Sequence, residues 1–141
     1  MDEKITQTVM AQLPAVRDLM DHHVHTVRPD DEILEAVGSL LNNHVTGAPV
    51  VDAAGKLVGM LTEKDCMRLL AAGADANVPK GRVEEFMHPD VVTISPDTSV
   101  YYAAGLFLNN HFRRLPVVEA GRLVGAITRF DILRAIHANL R

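Results

Sequence analysis

The sequence predicts an α/β protein, in the α+β sense of short strands mixed with helices, made of two copies of one β-α-β-β-α unit. Three observations predict it. The chain matches itself at a fixed offset, each copy alternates brief apolar runs with helix-period stretches, and both copies carry the same turn and helix-start residues. Sliding the 141-residue chain by 67 positions pairs Val16-Arg17-Asp18-Leu19-Met20 with Val83-Glu84-Glu85-Phe86-Met87. Thr26-Val27-Arg28-Pro29-Asp30 then falls on Thr93-Ile94-Ser95-Pro96-Asp97, Asn42-Asn43-His44 on Asn109-Asn110-His111, and Pro49-Val50-Val51 on Pro116-Val117-Val118. One residue drops out where Ala53-Ala54-Gly55 meets Ala120-Gly121. From there, at offset 66, Leu57-Val58-Gly59, Thr62, Asp65 and Arg68 meet Leu123-Val124-Gly125, Thr128, Asp131 and Arg134. Roughly two in five aligned positions are identical, and the single gap lies in a turn.

Each element has its own reason. His25-Thr26-Val27 and Val91-Val92-Thr93-Ile94 are β-favouring runs stopped by a proline, which cannot donate to a ladder. Asp30 and Asp97 follow that proline and are expected to cap the next helix. Ile33, Leu34, Val37, Leu40 and Leu41 recur at helical spacing, as do Val100, Ala104, Phe107 and Leu108. Two apolar strands follow around Asp52-Ala53-Ala54-Gly55, residues that tolerate the left-handed backbone of a tight hairpin. The closing helices open at Thr62-Glu63-Lys64-Asp65 and Thr128-Arg129-Phe130-Asp131, with threonine as cap and aspartate at the positive end of the helix. Residues 1–15 read as an N-terminal helical segment, with a weak amphipathic stripe over 3–13. Residues 16–72 form the first repeat, 73–82 the linker, and 83–141 the second repeat. About 55 residues in three short strands and two helices leave a sheet face bare, so neither repeat is expected to be stable alone.

Composition sets the outer bounds. A hydrophobic fraction of 48% with 23% charged residues is ordinary for a globular protein. The net charge of -4 speaks against nucleic-acid binding by broad electrostatics. No apolar stretch approaches a membrane span, Met1-Asp2-Glu3-Lys4 opens no secretory signal, and Cys66 stands alone without a disulfide or zinc framework. A cytoplasmic protein with no membrane partner is expected.

The ordered set of Thr-Val-Arg-Pro-Asp and Thr-Ile-Ser-Pro-Asp, Ala48-Pro49-Val50-Val51 and Leu115-Pro116-Val117-Val118, Gly59-x-x-Thr62-x-x-Asp65 and Gly125-x-x-Thr128-x-x-Asp131 resembles a tandem pair of cystathionine-β-synthase (CBS) domains, the Bateman module. The resemblance covers roughly residues 16–137. It implies two β-α-β-β-α units packed around a pseudo-twofold axis, with clefts between them that hold adenine-containing ligands. It also implies a homodimer formed through the helices.

The resemblance makes Thr62/Asp65 and Thr128/Asp131 the ribose–phosphate elements. One carboxylate can accept from both hydroxyls of a ribose, and a threonine hydroxyl at a helix start suits a phosphate oxygen. Helix capping alone would use the same residues. Arg113 and Arg114, at the mouth of a strand, suit a phosphate. The first copy has Thr46-Gly47 there, so the module is asymmetric and favours a phosphorylated ligand over S-adenosylmethionine. Arg28, Thr46 and Lys64 complete the expected nucleotide-binding set, and the cleft holding Asp131 is expected to fill first. His22, His23 and His25 could ligate a metal, but an exposed loop is the simpler reading, and no metal site is assigned. No catalytic signature is present, and no enzyme or catalytic cofactor is expected.

The function expected is a stand-alone regulatory module that binds an adenine nucleotide (AMP, ADP or ATP) and relays it to an effector protein in trans. S-adenosylmethionine or NAD as ligand, or a dimerisation module with empty clefts, are the alternatives.

Overall fold

The computed structural model describes residues 13–72 and 80–139. The helix expected over residues 3–13 lies, apart from Leu13, outside the described residues, as does most of the linker. In chain order the elements are α1 (Val16–Leu19), α2 (Ile33–Asn42), β1 (Gly47–Val51), β2 (Leu57–Thr62), α3 (Glu63–Ala72), α4 (Val83–Phe86), α5 (Val100–Asn109), β3 (Arg114–Glu119), β4 (Arg122–Thr128) and α6 (Arg129–Asn139). The strands form two separate hairpins, β1–β2 and β3–β4.

The chain divides into two compact bodies, and their limits do not follow the repeat. One comprises Val24–Val91 with Gly121–Leu123, and the other the residues up to His23, Val92–Ala120 and those from Val124 onward. Each repeat therefore sends its leading helix into the other body. In the body built on the first repeat, α4 docks against the turn that precedes α2. Val83 N–H donates to Asp31 O at 3.0 Å, Glu84 N–H to Pro29 O at 2.9 Å, and Val83 is wholly buried among Ile33, Leu40, Val50 and Leu61. In the other body α1 does the same: Val16 N–H donates to Thr98 O at 2.8 Å and Arg17 N–H to Pro96 O at 3.0 Å, with Val16 buried among Val100, Phe107, Leu115 and Ile127. Two apolar cores result, each closed by a residue that belongs to the other repeat in sequence.

The strand expected at 25–27 is a single parallel bridge, Val27 to Val50, and that at 91–94 is Ile94 to Val117. Pro29 and Pro96 turn the chain away within two residues, so one rung is all that forms. Val27 N–H donates to Pro49 O at 3.1 Å and Val51 N–H to Val27 O at 2.9 Å. Pro49 pairs with Met60 in the β1–β2 register, and its missing N–H costs nothing there. Met60 turns its own N–H and carbonyl outward to His88, at 2.9 and 3.0 Å. Ala126 and Asp21 make the equivalent pair at 3.0 and 2.9 Å.

This second bridge explains a glycine in each repeat. A Cβ on Gly59 would stand 2.6 Å from Met87 Sδ and 3.0 Å from His88 O; on Gly125, it would stand 2.7 Å from Met20 Sδ and 2.8 Å from Asp21 O. The chain runs past β2 and β4 too closely for any side chain at these positions. The hairpin turns match expectation: Gly55 has φ +83°, and Ala120 and Gly121 have φ +51° and +80°.

Two local expectations are corrected. The helix caps are Glu32 and Ser99, not Asp30 and Asp97. The residues after each proline close a turn first, with Asp31 N–H on Arg28 O at 3.2 Å and Thr98 N–H on Ser95 O at 3.1 Å, which delays each helix. Asp97 instead pairs with Arg17. The apolar stripes also divide. Ile33, Ala36 and Leu40 are buried on α2, and Val100, Ala103 and Phe107 on α5, whereas Leu34, Leu41 and Leu108 face solvent, Leu108 at 85% exposure. These helices are apolar on two sides, and periodicity alone merged the two.

Candidate functional site

The open end of each hairpin, where the second strand runs into a helix, collects the polar residues of interest. In the first-repeat body Gly47 pairs with Thr62, and Thr46 O accepts from Glu63 N–H at 2.8 Å. Thr46, Thr62, Lys64 and Asp65 therefore come together. Arg28 does not join them. It follows Val27, whose parallel partner is Val50, and so lies toward the opposite end of β1. In the other body β3 opens at Arg114 and β4 closes at Thr128, which brings Arg113, Arg114, Thr128 and Asp131 to one end of that hairpin.

Both aspartates are buried, Asp65 at 2% exposure and Asp131 at 7%. Thr62 N–H and hydroxyl both donate to Asp65 Oδ2 at 2.9 Å, and Asp65 N–H returns to Thr62 Oγ1 at 3.4 Å. Thr128 and Asp131 repeat this box at 2.8, 3.0 and 3.3 Å. A carboxylate only accepts, so the threonine proton is committed to it and each hydroxyl is spent on the cap. A ligand would find the carboxylate, the helix start and the neighbouring cations.

Further residues that the sequence did not single out complete the pair. His88 Nδ1 lies 2.9 Å from Asp65 Oδ2, and Arg68 stands 3.6 Å from Asp65 Oδ1. Arg134 is in direct contact with Asp131 Oδ1 and lies 5.1 Å over the ring of Phe130. The arginines were visible as a repeated i, i+3 spacing. His88 was not, because its place depends on the bridge to Met60. Burial, and then the charge of Asp65, push the Cys66 thiol above its ordinary value, which makes it a poor nucleophile at neutral pH.

Among the histidines of the sequence cluster, His25 Nε2 is engaged by Ser39 Oγ at 2.6 Å, and His23 N–H donates to Asp21 Oδ1 at 2.9 Å. Among the described residues no three His, Cys, Asp or Glu side chains converge as a metal site, and no helix is long and apolar enough to cross a membrane.

The family model for the CBS domain matches twice, over residues 16–72 and 83–138. The chain belongs to the CBS domain family. It is 35% identical over 124 residues to the uncharacterised protein MJ1225 of Methanocaldococcus jannaschii, a match covering 88% of this chain and 43% of that one. The chain spans less than half the length of some curated relatives that it matches. Among solved structures, CBSX2 of Arabidopsis thaliana in complex with AMP is similar at TM-score 0.78 and 33% identity, covering 91% of this chain and 99% of that one. The CBS domain pair of protein MJ0100 in complex with 5′-methylthioadenosine and S-adenosyl-L-methionine is similar at TM-score 0.73 and 30% identity, covering 89% and 98%. The mixed α/β architecture of this CBS pair is that of these structures.

Proposed function

We propose that this CBS pair is a regulatory rather than catalytic module, and that its ligand is an adenine nucleotide bound at the Thr-x-x-Asp helix starts. The observation that carries the reading is the buried aspartate kept at the same place in both repeats, in a chain similar to CBSX2, whose structure holds AMP. A ribose diol is a good partner for such a carboxylate, since two hydroxyls can donate to one acceptor group. The MJ0100 pair shows that similar modules also take a sulfonium ligand. Arg114, half-buried at the mouth of β3, favours an anionic phosphate here. Binding would act on an effector by linkage, by favouring whichever state of the module holds the ligand better.

The test is thermal unfolding of tag-free protein with AMP, ADP, ATP, NAD, adenosine and S-adenosylmethionine. AMP at 100 times its Kd is expected to raise the midpoint by several degrees and to exceed adenosine. A shift with S-adenosylmethionine alone, or with none of the six, overturns the nucleotide reading.

The exposed faces of the helices favour a second property, self-association. Tyr101, Tyr102, Leu108, Leu133 and Ile136 are exposed on α5 and α6, and an open groove of about 540 Å³ lies between those helices, lined by Phe107, Leu108, Ile132 and Ile136. Patches of this kind mark interaction sites, and a second copy of this chain is the partner we assign. Leu108→Glu with Ile136→Glu is expected to halve the mass seen by sedimentation. A wild-type chain that is already monomeric, or a double variant of unchanged mass, overturns it.

A further inference from the structure

The helical faces of the two repeats share one frame and differ in what fills it. On α2 and α3 the exposed apolar side chains are Leu34, Leu41, Met67 and Leu70. The repeat places Tyr101, Leu108, Leu133 and Ile136 at the same positions of α5 and α6, and these too are exposed. Both frames hold a glycine in mid-helix, Gly38 on α2 and Gly105 on α5. A Cβ on either would meet nothing within 4 Å, and neither has the positive φ that disfavours other residues. Alanine would fit at both places and strengthen both helices. Among the described residues no neighbour accounts for these glycines. The close passage of a helix from another molecule does.

The faces differ in relief and in charge. The second repeat has the open groove between α5 and α6, and Tyr101, Tyr102 and Phe130 stand exposed on those helices. The matching residues of the first repeat are Leu34, Glu35 and Lys64. Leu41 and Leu70 are 70% and 81% exposed there, slender side chains of a size to enter a groove. The exposed stripe of α3 starts at the acid Glu63, and that of α6 starts at the base Arg129 in the equivalent position. Setting each face against its own copy gathers like charges in both contacts. Setting the unlike faces together brings acid toward base.

Resting on the self-association reading above, we infer that the α5–α6 groove takes the α2–α3 face of the second copy, with Leu41 and Leu70 as the inserted side chains. Gly38 and Gly105 mark where the helix backbones pass closely. The pairing is head to tail: each contact joins a first-repeat face to a second-repeat face, and a twofold dimer makes that contact twice. Such a pairing needs unlike surfaces on the two repeats. That is where the repeats diverge, while their turns and Thr-x-x-Asp starts stay the same.

Sedimentation of the full chain tests it through two variants and their mixture. Leu41→Glu with Leu70→Glu spoils the first-repeat face, and Leu108→Glu with Ile136→Glu the second. All four positions are exposed, so each variant is expected to fold. Head to tail, either variant spoils both contacts of its own dimer and runs as a monomer. Their equimolar mixture recovers dimer, because the mixed pair joins two intact faces in one of its contacts. A mixture no heavier than the separate variants overturns the pairing and leaves self-association standing; a wild-type chain that is monomeric overturns both. Gly38→Ala is the independent arm. It should raise the thermal midpoint of the Leu108→Glu/Ile136→Glu monomer while weakening the otherwise unaltered dimer at least about tenfold, the loss expected when a well-packed contact is overfilled. A dimer that is unchanged or tightened by Gly38→Ala removes α2 from the interface and overturns the assignment.

Discussion

Val83→Asp is expected to unfold the body built on the first repeat, although Val83 belongs to the second repeat by sequence. The side chain is wholly buried, its backbone N–H is bonded to Asp31, and its neighbours Ile33, Leu40, Val50 and Leu61 are all aliphatic. A carboxylate placed there finds no partner, and the cost is about 4 kcal/mol or more, a large share of a small domain's stability. Hydrogen exchange followed by mass spectrometry should show residues 33–42 and 57–69 losing protection first. Val16→Asp should act in mirror image, exposing residues 100–109 and 122–135. Unchanged stability of Val83→Asp, or first loss of protection in residues 100–109, would sink the exchanged arrangement of α1 and α4.

Gly125→Ala should cost between about 3 and 5 kcal/mol, far beyond an ordinary glycine-to-alanine change in a strand. The new methyl would lie 2.8 Å from Asp21 O and 2.7 Å from Met20 Sδ. Methionine can swing aside, but the carbonyl is backbone and already bonded to Ala126 N–H at 3.0 Å. Overpacking at such a point costs about 1–3 kcal/mol, and each of the two bridge hydrogen bonds lost adds about 1 kcal/mol. Gly59→Ala meets its backbone oxygen at 3.0 Å and should be milder. Urea unfolding of the pair would measure this, and a Gly125→Ala midpoint within error of wild type refutes the close approach.

Much of the fold was legible because it is written twice. The hairpins, the four longer helices and the Thr-x-x-Asp starts each carry local chemistry: a positive-φ turn, a helical stripe, a capping pair. What escaped depends on distant parts of the chain. Glu32 and Ser99 cap helices only because the preceding proline turns use up the residues before them. Leu34 and Leu108 looked like core because an apolar residue does not declare which of two helix faces it serves. Within the site, Thr62, Asp65, Thr128 and Asp131 were readable from spacing. His88 was not, since nothing local links it to a strand 28 residues earlier. The glycines of the Gly-x-x-Thr motif were readable as a pattern without their reason, which is the passage of another backbone.

The exchange of α1 and α4 bears on how such a chain can be divided. A polypeptide of residues 16–72 alone would carry a helix shaped for a body it does not contain, and would lack the one that completes its own. The tandem chain removes that difficulty by tethering. Joined through the segment between Ala72 and Lys80, each missing helix is held at an effective concentration in the millimolar range, so closing a core is an intramolecular event. Cutting that tether would remove the high local concentration without removing the complementarity. The two pieces would still each own half of both cores, and the protein would persist as a complex of two fragments that neither could replace alone.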